Sequence, residues 1–178
     1  MKREQPPCCL LFAYFAVSLL ATSAHAVSLT RGPYIMMGHY TNQTTIVWRT
    51  DANSDSWVDY GLTAAYGSTA GVANSVVLHE VTLTGLLPGT NYYYRVRSGG
   101  VNLATDMFRS GKLPGKPVRI AFTGDHRGGG GANVGTQMAA VSPDLWTDSG
   151  DVTEGCDFNQ FDSQYITKFW QVFRNAPV

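Results

Sequence analysis

The sequence predicts an all-β sandwich followed by the first β-α-β-α part of an α/β domain. From Val27 to about Leu113, short runs of β-branched and aromatic residues alternate with Gly, Pro and Asn, the spacing of a sandwich. "KLPGKP" (112–117) then breaks the pattern with prolines, a glycine and lysines, as a short stiff linker does. Beyond it two apolar strand patterns alternate with two helical ones, an order that sets the strands parallel and close together. The expected boundaries are 1–26, 27–113, a linker at 114–117, and 118–178.

The first 26 residues have the form of a secretory signal peptide. Lys2 and Arg3 stand near the start, and Ala24-His25-Ala26 forms a small-x-small cleavage pattern. The apolar run between them, Cys8 to Ala21, is about 14 residues, short of the roughly 20 that a membrane span needs. The mature chain is therefore expected to be secreted or periplasmic, without a membrane partner. Lys+Arg and Asp+Glu both total 13 and no basic stripe appears, so no nucleic-acid surface is expected. Cys8 and Cys9 leave with the signal, so Cys156 stands alone and no internal disulfide is expected. Asn42 opens an Asn-Gln-Thr sequon, which has meaning only in a eukaryotic secretory pathway.

In the β half, strands are expected at 44–50, 56–61, 75–86, 91–100 and 102–110. Alternation turns Ile46, Trp48, Tyr92, Tyr94 and Val96 inward, and Tyr93, Arg95 and Arg97 outward. "LLPGTNYYYRV" (86–96) resembles the fibronectin type III signature: a leucine, a Pro-Gly turn, then a tyrosine opening the next strand. That resemblance makes Tyr92 the corner tyrosine, whose hydroxyl bonds back to nearby backbone. It also makes the row Tyr92–Tyr94 structural in preference to a ligand-stacking ladder.

The second half begins with a buried-type strand, "VRIAFTGD" (118–125). "ANVGTQMAAVSP" (132–143) can form a helix with Val134, Met138 and Val141 on one side. "DLWTDSGD" (144–151) is a second strand. An amphipathic helix over 157–175 carries Phe158, Phe161, Tyr165, Phe169 and Phe173 at helical spacing. Asp125 and Asp151 each stand at the carboxyl end of a strand, where parallel sheets gather reactive groups. On neighbouring strands, with backbones about 4.8 Å apart, two carboxylates would share a crevice and repel. Divalent cations remove that conflict, and a pair of them can polarise a phosphate and turn bound water into hydroxide. The rival readings are strand-ending turn residues, which Asp favours anyway, and a nucleotide loop at Gly128–Gly131. The second fails because neither G-x-G-x-x-G nor G-x-x-x-x-G-K-[ST] spacing fits around 124–135.

"GDHR" around Asp125 and "PDLWTDSGDVTEG" around Asp151 resemble the first two blocks of the calcineurin-like metallophosphoesterases. With "RGPY" (31–34) and "HEVTLTGLLPGTNYYYRV" (79–96) ahead of them, the chain is similar to purple acid phosphatases and their bacterial relatives. The resemblance implies that Asp125 binds a first metal and Asp151 bridges two, drawn from iron, manganese or zinc. The first block usually reads Asp-x-His or Asp-x-Gly, and here Arg127 holds the third place. A guanidinium cannot ligate a cation, but its planar fork suits a phosphate oxyanion, so Arg127 is the candidate catalytic residue. His126 lies one place off. Glu154 occupies the position of the tyrosine that colours the purple branch, which argues against a purple ferric centre.

The later Gly-Asn-His-Asp/Glu block and two histidine blocks of the family are absent. His25 leaves with the signal, and His39 and His79 sit in the β half in surface or core roles. The expectation is therefore the N-terminal portion of a secreted metal-dependent phosphoesterase acting on small phosphoesters, truncated at its C-terminus. Such a portion is expected to hold metal weakly or not at all and to be inactive alone. The alternative is a secreted fibronectin-type binding module without catalysis, which would have no need of acidic strand ends in a β-α-β unit.

Overall fold

The computed structural model describes residues 26–38, 40–125, 131–150, 152–153, 155 and 160–177. The expected signal peptide lies outside that set, apart from Ala26. No described helix is long and apolar enough to cross a membrane.

Five strands form the β half among the described residues: β1 (Leu29–Met37), β2 (Thr44–Gly61), β3 (Ser68–Leu83), β4 (Asn91–Ser98) and β5 (Val101–Arg109). They make one antiparallel hydrogen-bonded sheet in the order β1-β2-β4-β5, with β3 also paired to β2. The sheet closes over itself because β2 changes neighbours along its length. Residues 44–50 pair with β1 and residues 57–61 with β4, and register shifts fall at 49/54 and 54/56. Such irregularities bend a strand and let it pass from one layer to the other. The sequence reading split β2 at "DANSD" (51–55), whose polar residues spell a turn, whereas the chain stays extended there. It also missed β1, whose Gly32 and Pro33 disguise a strand.

Between the layers lie Ile35, Ile46, Trp48, Val58, Leu83, Tyr94, Val96 and Phe108, all buried. The expected inward residues are therefore inside, and Arg95 and Arg97 are partly exposed. Trp48 donates its indole N–H to Ser98 Oγ at 3.0 Å and stacks on His79, ring centroids 4.9 Å apart. His79 is fully buried with Thr50 Oγ1 at 2.7 Å and Ser56 Oγ at 2.8 Å from its ring nitrogens, a core role. Tyr92 acts as a corner tyrosine: its hydroxyl accepts the Leu87 N–H at 2.9 Å.

After the linker come β6 (Ile120–Thr123), α1 (Gly131–Ala140), β7 (Leu145–Asp148), a π-helical turn (Phe161–Ile166) and α2 (Thr167–Phe173). β6 and β7 pair in parallel, as the βαβ pattern predicted, from Ile120↔Leu145 to Thr123↔Asp148. These two short helices and two short strands do not by themselves make an α/β metallophosphoesterase domain; the described fold is mostly β. Trp146, Tyr165, Phe169 and Phe173 form the core of this part, with Ala121 packed against it. The expected helix face needs correction. Met138 is buried, but Val134 and Val141 are exposed. Gly135 takes the contact instead, because its missing Cβ lets α1 lie against the Lys168 carbonyl and Phe169 of α2.

The two parts are bonded to each other. Asp144 accepts from Lys112 Nζ at 2.7 Å and the Arg119 N–H at 2.8 Å, which fixes the linker. Past α2, Asn175 Nδ2 donates to Asp106 Oδ1 and to the Met107 carbonyl, both at 2.7 Å. Arg174 forms an ion pair with Asp106 at 2.9 Å, and the buried Tyr94 hydroxyl donates to the Arg174 carbonyl at 3.0 Å.

Candidate functional site

The parallel ladder continues past the ends of β6 and β7 into the two Gly-Asp steps. The Ser149 N–H donates to the Thr123 carbonyl at 2.9 Å, and the Asp125 N–H donates to the Gly150 carbonyl at 3.0 Å. Asp125 is therefore held directly beside the residue that precedes Asp151. Its φ of +52° lies in the left-handed region that L-residues rarely adopt, and its side chain is exposed. Gly124 lies close to Ser149, whose hydroxyl would have to turn aside if a Cβ stood there. Gly150 has a φ of +102°, which glycine alone takes easily.

A third carboxylate, absent from the sequence reading, holds this corner together. Asp148 Oδ2 accepts the Thr123 hydroxyl at 2.8 Å, and Oδ1 accepts the Gly150 N–H at 2.8 Å. The first bond crosses between the strands and the second closes an Asx turn, so Asp148 fixes the backbone at Gly150. Thr123 is itself located by the Trp146 indole N–H at 3.1 Å. Tyr165 lies close enough to Asp148 to feel its charge. Burial first, and that carboxylate second, push the phenol well above its ordinary range. It stays a neutral hydroxyl. The signal for Asp148 was in "TDSGD" (147–151), but its partner Thr123 is distant in sequence.

Of the predicted site residues, Asp125 is placed as described, while Asp151, Arg127, His126, Glu154 and Cys156 lie outside the described residues. Among the described residues, no three His, Cys, Asp or Glu side chains group closely enough to hold a metal ion. Both Asp148 oxygens already accept protein donors. The described donors alone therefore do not make up a metal site. What this corner does supply is an exposed Asp125 carboxylate beside Gly150, at the carboxyl ends of two parallel strands whose junction Asp148 braces.

Residues 31–110 match the family model described as Purple acid Phosphatase, N-terminal domain. Among solved structures, the chain is similar to purple acid phosphatase PPD1 from yellow lupin (Lupinus luteus) seeds, with 14% identity and a TM-score of 0.66. That match covers 82% of this chain and 33% of the other. It is also similar to PhoD, with 14% identity and a TM-score of 0.53 over 85% of this chain and 37% of that one. The chain spans about a third of the length of these two proteins, and at such identity the likeness is one of fold. No curated protein sequence matches it. The family match coincides with the strands that bury Ile46, Trp48, Tyr92 and Tyr94, so residues 31–110 are similar to the purple acid phosphatase N-terminal domain in both sequence pattern and core.

Proposed function

We propose that the chain is the N-terminal portion of a secreted, metal-dependent phosphoesterase that hydrolyses small phosphoesters. Asp125 and Asp151 are its first two metal carboxylates, and Arg127 is the group that meets the phosphate. The observation that supports this reading is the Asp125 N–H to Gly150 carbonyl bond, which sets Asp125 beside the glycine that precedes Asp151 in sequence. Two further features support it. Residues 31–110 match a domain named for phosphatases. The β6–β7 pair is covered on one face, where Ala121 and Trp146 meet the helices, but exposes Ile120 and Phe122 on the other. Parallel sheets are normally covered on both faces.

In this reading the residues divide the work. Asp148 and Thr123 aim the two strand ends, Gly150 supplies a left-handed backbone that other residues resist, and Asp125 presents its carboxylate at the strand end. Cations, drawn from iron, manganese or zinc, would supply Lewis-acid polarisation of the phosphate when bound. Holding a pair of them takes nitrogen ligands beyond those that 118–178 provides. The test is an assay of the purified chain with a chromogenic phosphomonoester across a manganese series. We expect no turnover from this chain alone. Hydrolysis that rises with manganese and disappears in Asp125→Asn would overturn the need for further ligands, and hydrolysis untouched by Asp125→Asn would overturn the assignment of the site.

A further inference from the structure

The outer face of the sandwich carries a second polar constellation, built on β2 and β4 instead of β6 and β7. Arg95 and Arg97 lie two residues apart on β4 and project from one face, with Asp59 of β2 directly opposite Arg95. Both guanidiniums converge on Asp59. Arg95 donates from Nε and Nη2 to Oδ2 at 3.0 and 2.6 Å. Arg97 donates from Nε to Oδ2 at 2.7 Å and from Nη2 to Oδ1 at 3.0 Å. Thr69 Oγ1 adds a bond to Oδ1 at 2.7 Å, so this carboxylate has little capacity left.

The arginines are in the opposite condition. Each spends the edge formed by Nε and Nη2, and neither Nη1 meets an acceptor among the described residues. The remaining edge of a guanidinium, Nη1 with Nη2, can grip a second oxyanion bidentately. One arginine would suffice to neutralise Asp59. Asp55, the other carboxylate near Arg97, accepts the Gly99 N–H at 2.7 Å and the Trp57 indole N–H at 2.9 Å. The Tyr66 ring lies 4.9 Å from the Arg95 guanidinium carbon and helps fix that plane. The two arginine side chains are 31% and 29% exposed, and they border a basin of about 520 Å³. Tyr66, Ser68 and Thr69 form one wall of it, and Gly100 and Asn102 another.

We propose that this basin binds a small ligand through an oxyanion, a phosphate or carboxylate group held by the two outward guanidinium edges. Asp59 serves as the fixed anchor that orients both forks before the ligand arrives, so little side-chain freedom is lost on binding. Because the arginines face two nearby carboxylates, fork geometry supplies the affinity more than net charge does.

Amide chemical-shift titrations of the whole chain with inorganic phosphate, and separately with citrate, test this. Saturable shifts confined to residues 66–69 and 95–102 are expected with at least one of the two, and the stronger responder identifies the preferred group. Arg97→Lys keeps the charge but removes the fork, and should weaken binding at least tenfold. Asn102→Ala leaves the Asp59 cluster intact and should weaken it about threefold, which decides the matter if the lysine variant does not fold. Absence of saturable shifts with both anions, or equal affinity in the folded variants, would overturn the proposal and leave a purely structural ion cluster.

Discussion

At Asp59, one carboxylate joins two strands and carries the clearest pH signature of the sandwich. Burial pushes its pKa upward, but hydrogen bonds from Arg97, Arg95 and Thr69, with the charge of Arg97, bring it down to about 2. Its charged form is favoured by folding. That stability is complete above the ordinary value near 3.8 and is lost as pH falls toward 2. The arginines are partly solvated, so Asp59→Asn should cost only about 1 kcal/mol at neutral pH, read from urea midpoints. His79 acts in a higher window. Burial lowers its pKa and the charge of Asp55 opposes this only in part, so the folded state holds it neutral. The unfolded chain takes up a proton first as pH drops below 6.5, and stability should decline from there. Urea midpoints at pH 7 and pH 5 should therefore differ, and the difference should shrink in His79→Asn. Tyr92→Phe strips the Leu87 N–H of its partner and should cost about 1–2 kcal/mol by the same measurement.

The helical elements show what a sequence pattern can and cannot specify. Phe161, Tyr165, Phe169 and Phe173 recur every fourth residue, so on a regular helix of 3.6 residues per turn they drift steadily around the axis. The π-helical turn at Phe161–Ile166 holds more residues per turn and takes up part of that drift. Tyr165, Phe169 and Phe173 consequently all reach Trp146, with ring centroids 5.7, 5.2 and 4.6 Å away. Phe169 is 1% exposed, and Phe169→Ala should cost roughly 3–5 kcal/mol. The loss should appear as amide exchange in 131–177 that outpaces exchange in the sandwich. The periodicity of this helix was legible because aromatic residues had nowhere else to go. The face of α1 was not, because its contact is made by the absence of a side chain at Gly135. A hydropathy pattern counts Val134 and Val141 and cannot register a close backbone approach.

Across the whole molecule, the sandwich acts as the platform on which the β6–β7 unit is mounted. Burial pushes the Asp144 carboxyl up, but the Lys112 ammonium, the Arg119 N–H and Arg109 outweigh it, so the group sits below the ordinary carboxylate range. Arg174 and Asn175 clamp the other end onto β5. Asp144→Ala should leave the sandwich folded yet speed proteolysis in the linker several-fold at neutral pH, seen as an early cut between 111 and 119. The sandwich and the parallel strand pair were readable from alternation at Tyr92, Tyr94 and Val96 and from the βαβ order. The continuity of β2 through residues 51–55 was hidden, since side-chain bonds such as Ser56 Oγ to Asn74 Oδ1 at 2.8 Å make a turn-like sequence serve a bend. Asp148 was hidden because its meaning depends on Thr123 across the sheet. The central claim is that Asp125 and Asp151 converge at adjoining strand ends to attract a cation. It is tested most directly by adding manganese to the isotope-labelled chain and following paramagnetic loss of amide signals. The account predicts that Asp125, Gly150 and Asp151 fade first and together, and that combined Asp125→Asn and Asp151→Asn substitution abolishes the effect. Early fading elsewhere, or fading at these amides that survives both substitutions, would contradict it.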